Sequence, residues 1–206
     1  MADIAKITKE EEWVQVVEAY KVLLADPKSG KSAQVKEMRN KLESFINKHL
    51  VKLNNKAQKD LSKLQGLLSF LLLVDEKLPL EDFFGNASLD IFPTIFKLTF
   101  YGEDHSVINL DPAGSGYINA IQILPHEDIV AKVSSTKRLE DKCNIVVNNL
   151  IAKMIIHCDK QKILIQVAEL LYSSDKMIST EKVIKLLVIF GKLFQVAPEN
   201  QRSKYL

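Results

Sequence analysis

Apolar residues recur every three or four positions along most of the chain, and this spacing predicts amphipathic α-helices. The first helix follows the segment Thr-Lys-Glu-Glu at 8–11, which matches a capping box. Its apolar face continues from Trp13 to Leu24. The helix is expected to end at Asp26-Pro27, because the residue before a proline avoids the helical conformation.

A longer pattern of the same kind begins at Ser32. Since consecutive residues of an α-helix turn by about 100°, its apolar members fall on one face. We predict two helices here, separated at Asn54-Asn55, because asparagine side chains compete for backbone hydrogen bonds and favour helix ends. The apolar members of the pattern are Val35, Met38, Leu42, Ile46, Leu50, Leu53, Ala57, Leu61, Leu64, Leu68 and Leu71.

The second half of the chain is also predicted to be mainly helical. The exception is the stretch 102–116, where a cluster of turn residues favours a loop, or alternatively a short strand pair. Helices are predicted over 88–101 (with Pro93 tolerated near the first turn), 117–124, 125–133, 136–157, 159–172 and 180–196. The fold is therefore predicted to be all-α, with about eight to ten helices in an irregular bundle or in a stack of helical hairpins.

The domain organisation follows from the same pattern. We predict one all-helical domain over residues 1–206. An alternative division places helical hairpins at 1–75 and a helical array at 87–206, with the acidic segment 75–87 as a linker.

The C-terminal quarter resembles an armadillo or HEAT repeat followed by the opening of another. The resemblance consists of a helix over 161–172, a Ser-Ser-Asp turn, a two-sided apolar helix over 180–194, and the linker Ala-Pro-Glu-Asn-Gln-Arg-Ser at 197–203. The helix-breaking glycine of armadillo repeats is absent, and no period near 40 residues is found upstream. The resemblance implies a stacked helical scaffold that binds other proteins.

Composition places the chain among ordinary globular proteins, with 47% hydrophobic and 26% charged residues and a mean hydropathy of −0.01. Its longest nearly apolar run, 67–74, is much shorter than the ~20 residues of a membrane span. Two cysteines do not form a disulfide framework, and the first residues do not resemble a secretory signal. A cytoplasmic or nuclear location is expected.

Charge is distributed in blocks although the net charge is only +2. Residues 28–63 contain ten lysines or arginines against three acidic residues, whereas 75–128 contain two against ten. Such blocks can mark binding surfaces or segments that attract one another. Only three residues are arginine, the side chain preferred for contacts with base edges, which argues against sequence-specific reading of nucleic acid.

The sequence Ala-Asp-Pro-Lys-Ser-Gly-Lys-Ser at 25–32 resembles a phosphate-binding P-loop in which alanine replaces the first glycine. In that interpretation Gly30, Lys31 and Ser32 contact phosphates and Mg²⁺, and Asp75 after the apolar residues 71–74 holds the metal. A P-loop must follow a buried strand, but both flanking segments have helical periodicity. A polar turn between helices, with Ser32 as the N-cap, is the favoured interpretation, and no cofactor is expected.

A second candidate is a stripe of lysines opposite the apolar face of 35–71. It could lie along the phosphates of a nucleic acid or along an anionic membrane, although a solvated helix face is the favoured interpretation. Aromatic residues suited to base stacking are nearly absent from it. The stripe consists of Lys41, Lys48, Lys52, Lys56, Lys59 and Lys63.

No metal site is predicted from the cysteines and histidines. Cys143 and His157 are too far apart along one helix for zinc-ligand spacing, and adjacent His157 and Cys158 point about 100° apart. Both cysteines lie on apolar faces and are interpreted as small core residues.

We therefore predict a non-enzymatic scaffold or adaptor subunit that binds another protein. Besides the lysine stripe, Phe83 and Phe84 are candidate partner-binding residues because aromatic side chains dominate interface hot spots. The alternatives are a P-loop-like nucleotide-binding enzyme and nucleic-acid binding through the stripe.

Overall fold

The computed structural model describes residues 10–25, 33–78, 91–98, 123–172 and 191. Within these ranges it contains seven α-helices, one short 3-10 helix and no β-strand, so the predicted all-α class is confirmed. The α-helices are α1 (Glu10–Ala25), α2 (Ala33–Lys59), α3 (Leu64–Lys77), α4 (Ile91–Lys97), α5 (His126–Ser135), α6 (Leu139–His157) and α7 (Lys160–Tyr172), and the 3-10 helix is Leu61–Lys63.

The predicted break at Asn54-Asn55 is wrong, because α2 continues through both residues to Lys59. The interruption lies at Asp60, whose backbone is extended and whose carboxylate accepts a hydrogen bond of 3.0 Å from the Ser62 amide. The weak preference of asparagine for helix ends is overridden here by packing, since Ala57 beyond the pair is fully buried on the core face.

The other described helices agree with the predicted ones to within a few residues. Pro93 is the third residue of α4, inside the first turn where a missing amide hydrogen costs nothing. The loop or strand pair predicted over 102–116 lies outside the described residues, as do all but residue 191 of the helix predicted over 180–196 and nearly all of that over 117–124. Of the armadillo-like segment, only the helix α7 and residue 191 are described.

The helices pack as a bundle, one of the two predicted arrangements. Helix α6 contacts α3, α4 and α5, while α2 contacts α1, α3 and α4. Helices on both sides of the segment 79–90 contribute to one buried cluster. Its largest fully buried side chains include Trp13, Tyr20, Phe70 and Phe92, and the rings of Trp13 and Phe70 meet edge to face with centroids 5.7 Å apart.

A few polar contacts accompany this apolar packing. The Thr94 hydroxyl of α4 donates a hydrogen bond to the Asn47 side chain of α2. The ring of His49 stacks on Phe45 and also contacts Phe70, so it belongs to the edge of the core. None of the helices described is both long enough and apolar enough to cross a membrane.

Candidate functional site

A buried ion pair joins the C-terminal end of α3 to the middle of α6. The Lys153 Nζ lies 2.5 Å from Asp75 Oδ1 and 3.3 Å from the Asp75 backbone oxygen. The side chain of Asp75 is fully buried and that of Lys153 is 3% exposed. Removing two charges from water is costly unless their remaining hydrogen-bonding capacity is also satisfied.

Asn149, one turn earlier in α6, forms some of the hydrogen bonds that this buried pair requires. Its Nδ2 donates to Asp75 Oδ1 at 2.9 Å and to the Leu124 carbonyl at 3.2 Å. Its Oδ1 accepts a hydrogen bond of 3.0 Å from the Leu124 amide. One side chain therefore binds the carboxylate and both backbone groups of a residue just before α5.

His126, the first residue of α5, completes the contacts of the carboxylate. Its Nδ1 lies 2.9 Å from Asp75 Oδ2, and its side chain is 25% exposed. Both oxygens of Asp75 are thus engaged by protein groups. We refer to Asp75, His126, Asn149, Lys153 and the backbone of Leu124 as the Asp75 cluster.

The helical repeat places these residues together. Asp75 follows the buried Leu71 by four residues, so it lies on the core face of α3. Asn149 and Lys153 are also four residues apart and share one face of α6. Sequence reasoning missed their role, although Lys153 is the one charged residue between Cys143 and Ile156, a signal of a buried charge that needs a partner.

The chemistry of the Asp75 cluster favours a structural role. A carboxylate bound to the Nδ1 of a histidine orients the ring in several hydrolases, where its charge stabilises the imidazolium. Here the charge of Asp75 is already balanced by the buried Lys153. The cluster instead ties α3, α5 and α6 together through hydrogen bonds in a low-dielectric interior.

The P-loop-like interpretation gains no support from the described residues. Gly30, Lys31 and Ser32 lie outside them. Asp75 belongs to a helix rather than to the end of a strand. Its carboxylate could bind Mg²⁺ only by giving up contacts with Lys153 and His126.

The cysteines pack as the sequence predicts, since Cys143 and Cys158 are both buried and neither forms a disulfide. Burial raises the pKa of the Cys143 thiol to about 12, and the negative charge of Glu140 acts in the same direction. A thiol of this kind is protonated at neutral pH and is a poor nucleophile. Among the described residues, no group of three or more histidine, cysteine or acidic side chains is placed to hold a metal ion.

The structure divides the lysine stripe into two groups. Lys41 is half-buried and lies 2.7 Å from Glu37, and its hydrogen bond lowers the pKa of that carboxyl below its usual value. Lys63 belongs to the 3-10 helix and lies 3.8 Å from Asp60. The other four are exposed on α2 and form no ion pair with any described residue. We call these four, Lys48, Lys52, Lys56 and Lys59, the basic row.

Two exposed apolar side chains are close to the basic row in sequence. Val51 is 43% exposed between its first two lysines in sequence, and Leu61 is 63% exposed just beyond its end. The row is therefore a charged surface with some apolar area. Phe83 and Phe84, the other candidate partner-binding residues, lie outside the described part of the chain.

Comparisons with known proteins identify no relative of this chain. The chain matches no protein-family model, no curated protein sequence and no solved structure.

Proposed function

We propose that this protein is a non-enzymatic scaffold or adaptor subunit that binds another protein through the basic row. The observation that carries the proposal is that these four exposed lysines follow one another at spacings of three and four residues on one face of α2, with no ion-pair partner among the described residues. Lys21 and Lys77, in contrast, each lie within 3.0 Å of a carboxylate. Four other exposed lysines have no such partner among the described residues either, but they are not spaced three or four residues apart. These are Lys36, Lys132, Lys137 and Lys162. The row is thus a positive surface whose charge is not balanced by its described surroundings.

Two further observations support a binding role. The buried polar groups of the Asp75 cluster bind one another and hold helices together, so they are not arranged around an open reaction site. The resemblance of 161–203 to armadillo or HEAT repeats fits the same role, because such repeats present extended surfaces to partner proteins. A protein of this kind would work within a cytoplasmic or nuclear complex.

The test is affinity purification of the tagged protein from its native cells, with the lysate divided into nuclease-treated and untreated halves. The comparison includes the variant Lys48→Gln/Lys52→Gln/Lys56→Gln/Lys59→Gln, called the row variant. A control variant replaces Lys36, Lys132, Lys137 and Lys162, four exposed lysines outside the row, by glutamine. Both variants lose four positive charges, so the overall charge is matched.

We expect a stoichiometric protein partner that survives nuclease, is retained by the control variant and is lost by the row variant. Partners that disappear on nuclease treatment would contradict the proposal and favour nucleic-acid binding. A partner retained equally by both variants would show that binding uses another surface.

A further inference from the structure

The basic row carries an electrostatic cost within its own helix. Lys48 and Lys52, and likewise Lys52 and Lys56, are four residues apart, and Lys56 and Lys59 are three apart. Like charges at these spacings are neighbours on a helix surface and repel. No acidic residue occurs from 44 to 59, so α2 contains no carboxylate that could relieve the repulsion within this stretch.

We infer that the basic row binds an acidic amphipathic helix of the partner protein, which lies along α2 in the antiparallel direction. This inference rests on the proposed function and specifies its partner. An anionic helix would relieve the repulsion within the row and gain Coulomb attraction at the same time.

The spacing of the row favours a helix as the partner element. At a rise of 1.5 Å per residue, Lys48 and Lys59 are about 16 Å apart along the axis. An antiparallel helix with carboxylates at i, i+3, i+7 and i+11 matches this length, meets the lysines in reverse order and presents its carboxylates on one face. Apolar residues flanking that face would contact the exposed Val51 and Leu61.

The antiparallel direction follows from the helix dipole. The C-terminal end of α2 carries partial negative charge, and Lys56 and Lys59 lie in its last turn. The N-terminal end of the partner helix carries partial positive charge and favours acidic residues in its first turn. Placing these two ends together aligns the dipoles favourably and brings the partner's acidic turn to Lys56 and Lys59.

The composition of the surface favours a protein over a nucleic acid. The row contains no arginine, the side chain that binds phosphates and base edges most specifically. Its nearest aromatic residue on α2, Phe45, is half-buried against the core and stacks on His49, so it is not displayed for base stacking. Exposed apolar side chains such as Val51 and Leu61 suit a protein interface better.

The test uses a synthetic 16-residue peptide with glutamates at positions 2, 5, 9 and 13, leucines along one flank and alanines elsewhere. A scrambled peptide of the same composition and a 16-nucleotide single-stranded DNA serve as comparison ligands. Binding to the full chain is measured by fluorescence anisotropy at two salt concentrations, with the row variant and the control variant in parallel. A photoreactive group at the peptide's N-terminus reports its direction through mass spectrometry of the cross-linked products.

We expect the helical peptide to bind at least about tenfold more tightly than the scrambled one, and the row variant to lose about tenfold or more in affinity, as four exposed ion pairs would give. Cross-links are expected at 56–63. Equal binding of the two peptides, tighter binding of the DNA, or cross-links concentrated at 41–48 would each overturn the inference. If a cellular partner depends on the row but the designed peptide does not bind, the acidic helix is ruled out while the proposed function stands.

Discussion

The amine of Lys153 and the carboxylate of Asp75 form an ion pair across 78 positions of sequence, in a part of the bundle where both side chains are almost completely buried. Each charge would be very unfavourable there alone, because burial removes its hydration. The pair therefore makes the packing of α3 against α6 depend on both residues being present.

Replacing one member of the pair is expected to destabilise the protein strongly. Lys153→Met leaves the Asp75 carboxylate buried without its counter-charge, which lowers the free energy of unfolding by about 3–5 kcal/mol. The double variant Asp75→Leu/Lys153→Met removes both charges and is expected to be more stable than either single variant. Urea denaturation monitored by circular dichroism measures the free energy of unfolding of Lys153→Met, Asp75→Leu and the double variant.

The control for this cycle is Lys162→Met, a change of the same type at an exposed position of α7. It is expected to alter the free energy of unfolding by no more than about 0.5 kcal/mol. If Lys153→Met were as mild as Lys162→Met, the buried ion pair would not be present in solution.

Asn149 is expected to control local opening before α5. Asn149→Leu leaves the amide and carbonyl of Leu124 without partners, at a cost of about 1–3 kcal/mol for each group that stays buried. The exchange of the Leu124 amide hydrogen should therefore accelerate. The neighbouring Asn148 is a matched control, since its buried Oδ1 has no hydrogen-bond partner. Equal acceleration in Asn148→Leu would argue against the Asn149 contacts.

Stability is expected to fall at alkaline pH because of Cys143. The ordinary pKa of the thiol, 9.0, applies to the unfolded chain, and burial raises it to about 12 in the folded protein. Between these values the unfolded chain releases a proton that the folded protein retains, so the thiol's contribution is complete below pH 9 and is lost as pH rises. The added slope is at most about 1.4 kcal/mol per pH unit.

The measurement compares the wild type with Cys143→Ala by urea denaturation at pH 8 and pH 10. Lysine and tyrosine titration affects both proteins. The difference between the two proteins in how the free energy of unfolding changes with pH therefore isolates the contribution of the thiol. An equal change of the free energy of unfolding with pH in the two proteins would mean that Cys143 is accessible to solvent in the folded protein.

The boundary between α2 and the 3-10 helix is expected to depend on Asp60 and not on the asparagine pair. Asp60→Ala removes the acceptor for the Ser62 amide and should lower the melting temperature. Asn55→Ala, at an exposed position inside α2, should instead raise the free energy of unfolding by about 0.5 kcal/mol, because alanine has the higher helix propensity. A destabilising Asn55→Ala would place the helix end at the asparagines after all.

Reversing one charge in the basic row is expected to stabilise the isolated protein. Lys52→Glu converts two repulsive pairs, with Lys48 and Lys56, into attractive ones, which raises the free energy of unfolding by about 1 kcal/mol and the melting temperature by about 2–4 °C. Lys52→Gln removes only the repulsion and should give an intermediate value in differential scanning calorimetry. A lower melting temperature for Lys52→Glu would indicate that Lys52 already interacts with acidic groups of the chain.

The helices were predictable because their apolar residues repeat locally, and long patterns such as that of 35–71 repeat many times over. The break at Asp60 was missed because a single capping hydrogen bond and the burial of Ala57 outweigh the weak preference of two asparagines. The Asp75 cluster could not be predicted from the sequence, for a different reason. His126 and Lys153 lie 51 and 78 residues from Asp75 along the chain. Periodicity shows which face of a helix a residue occupies but not which other helix that face contacts.

Trp13 is the one tryptophan of the chain, and it is fully buried against Phe70. The tryptophan fluorescence of the protein, excited at wavelengths that tyrosine does not absorb, therefore reports on a single place, the contact between α1 and α3. Circular dichroism in the far ultraviolet reports on all helices together. If α1 separates before the other helices unfold, the two signals will change at different urea concentrations, and coinciding curves will show that the bundle unfolds as one cooperative unit.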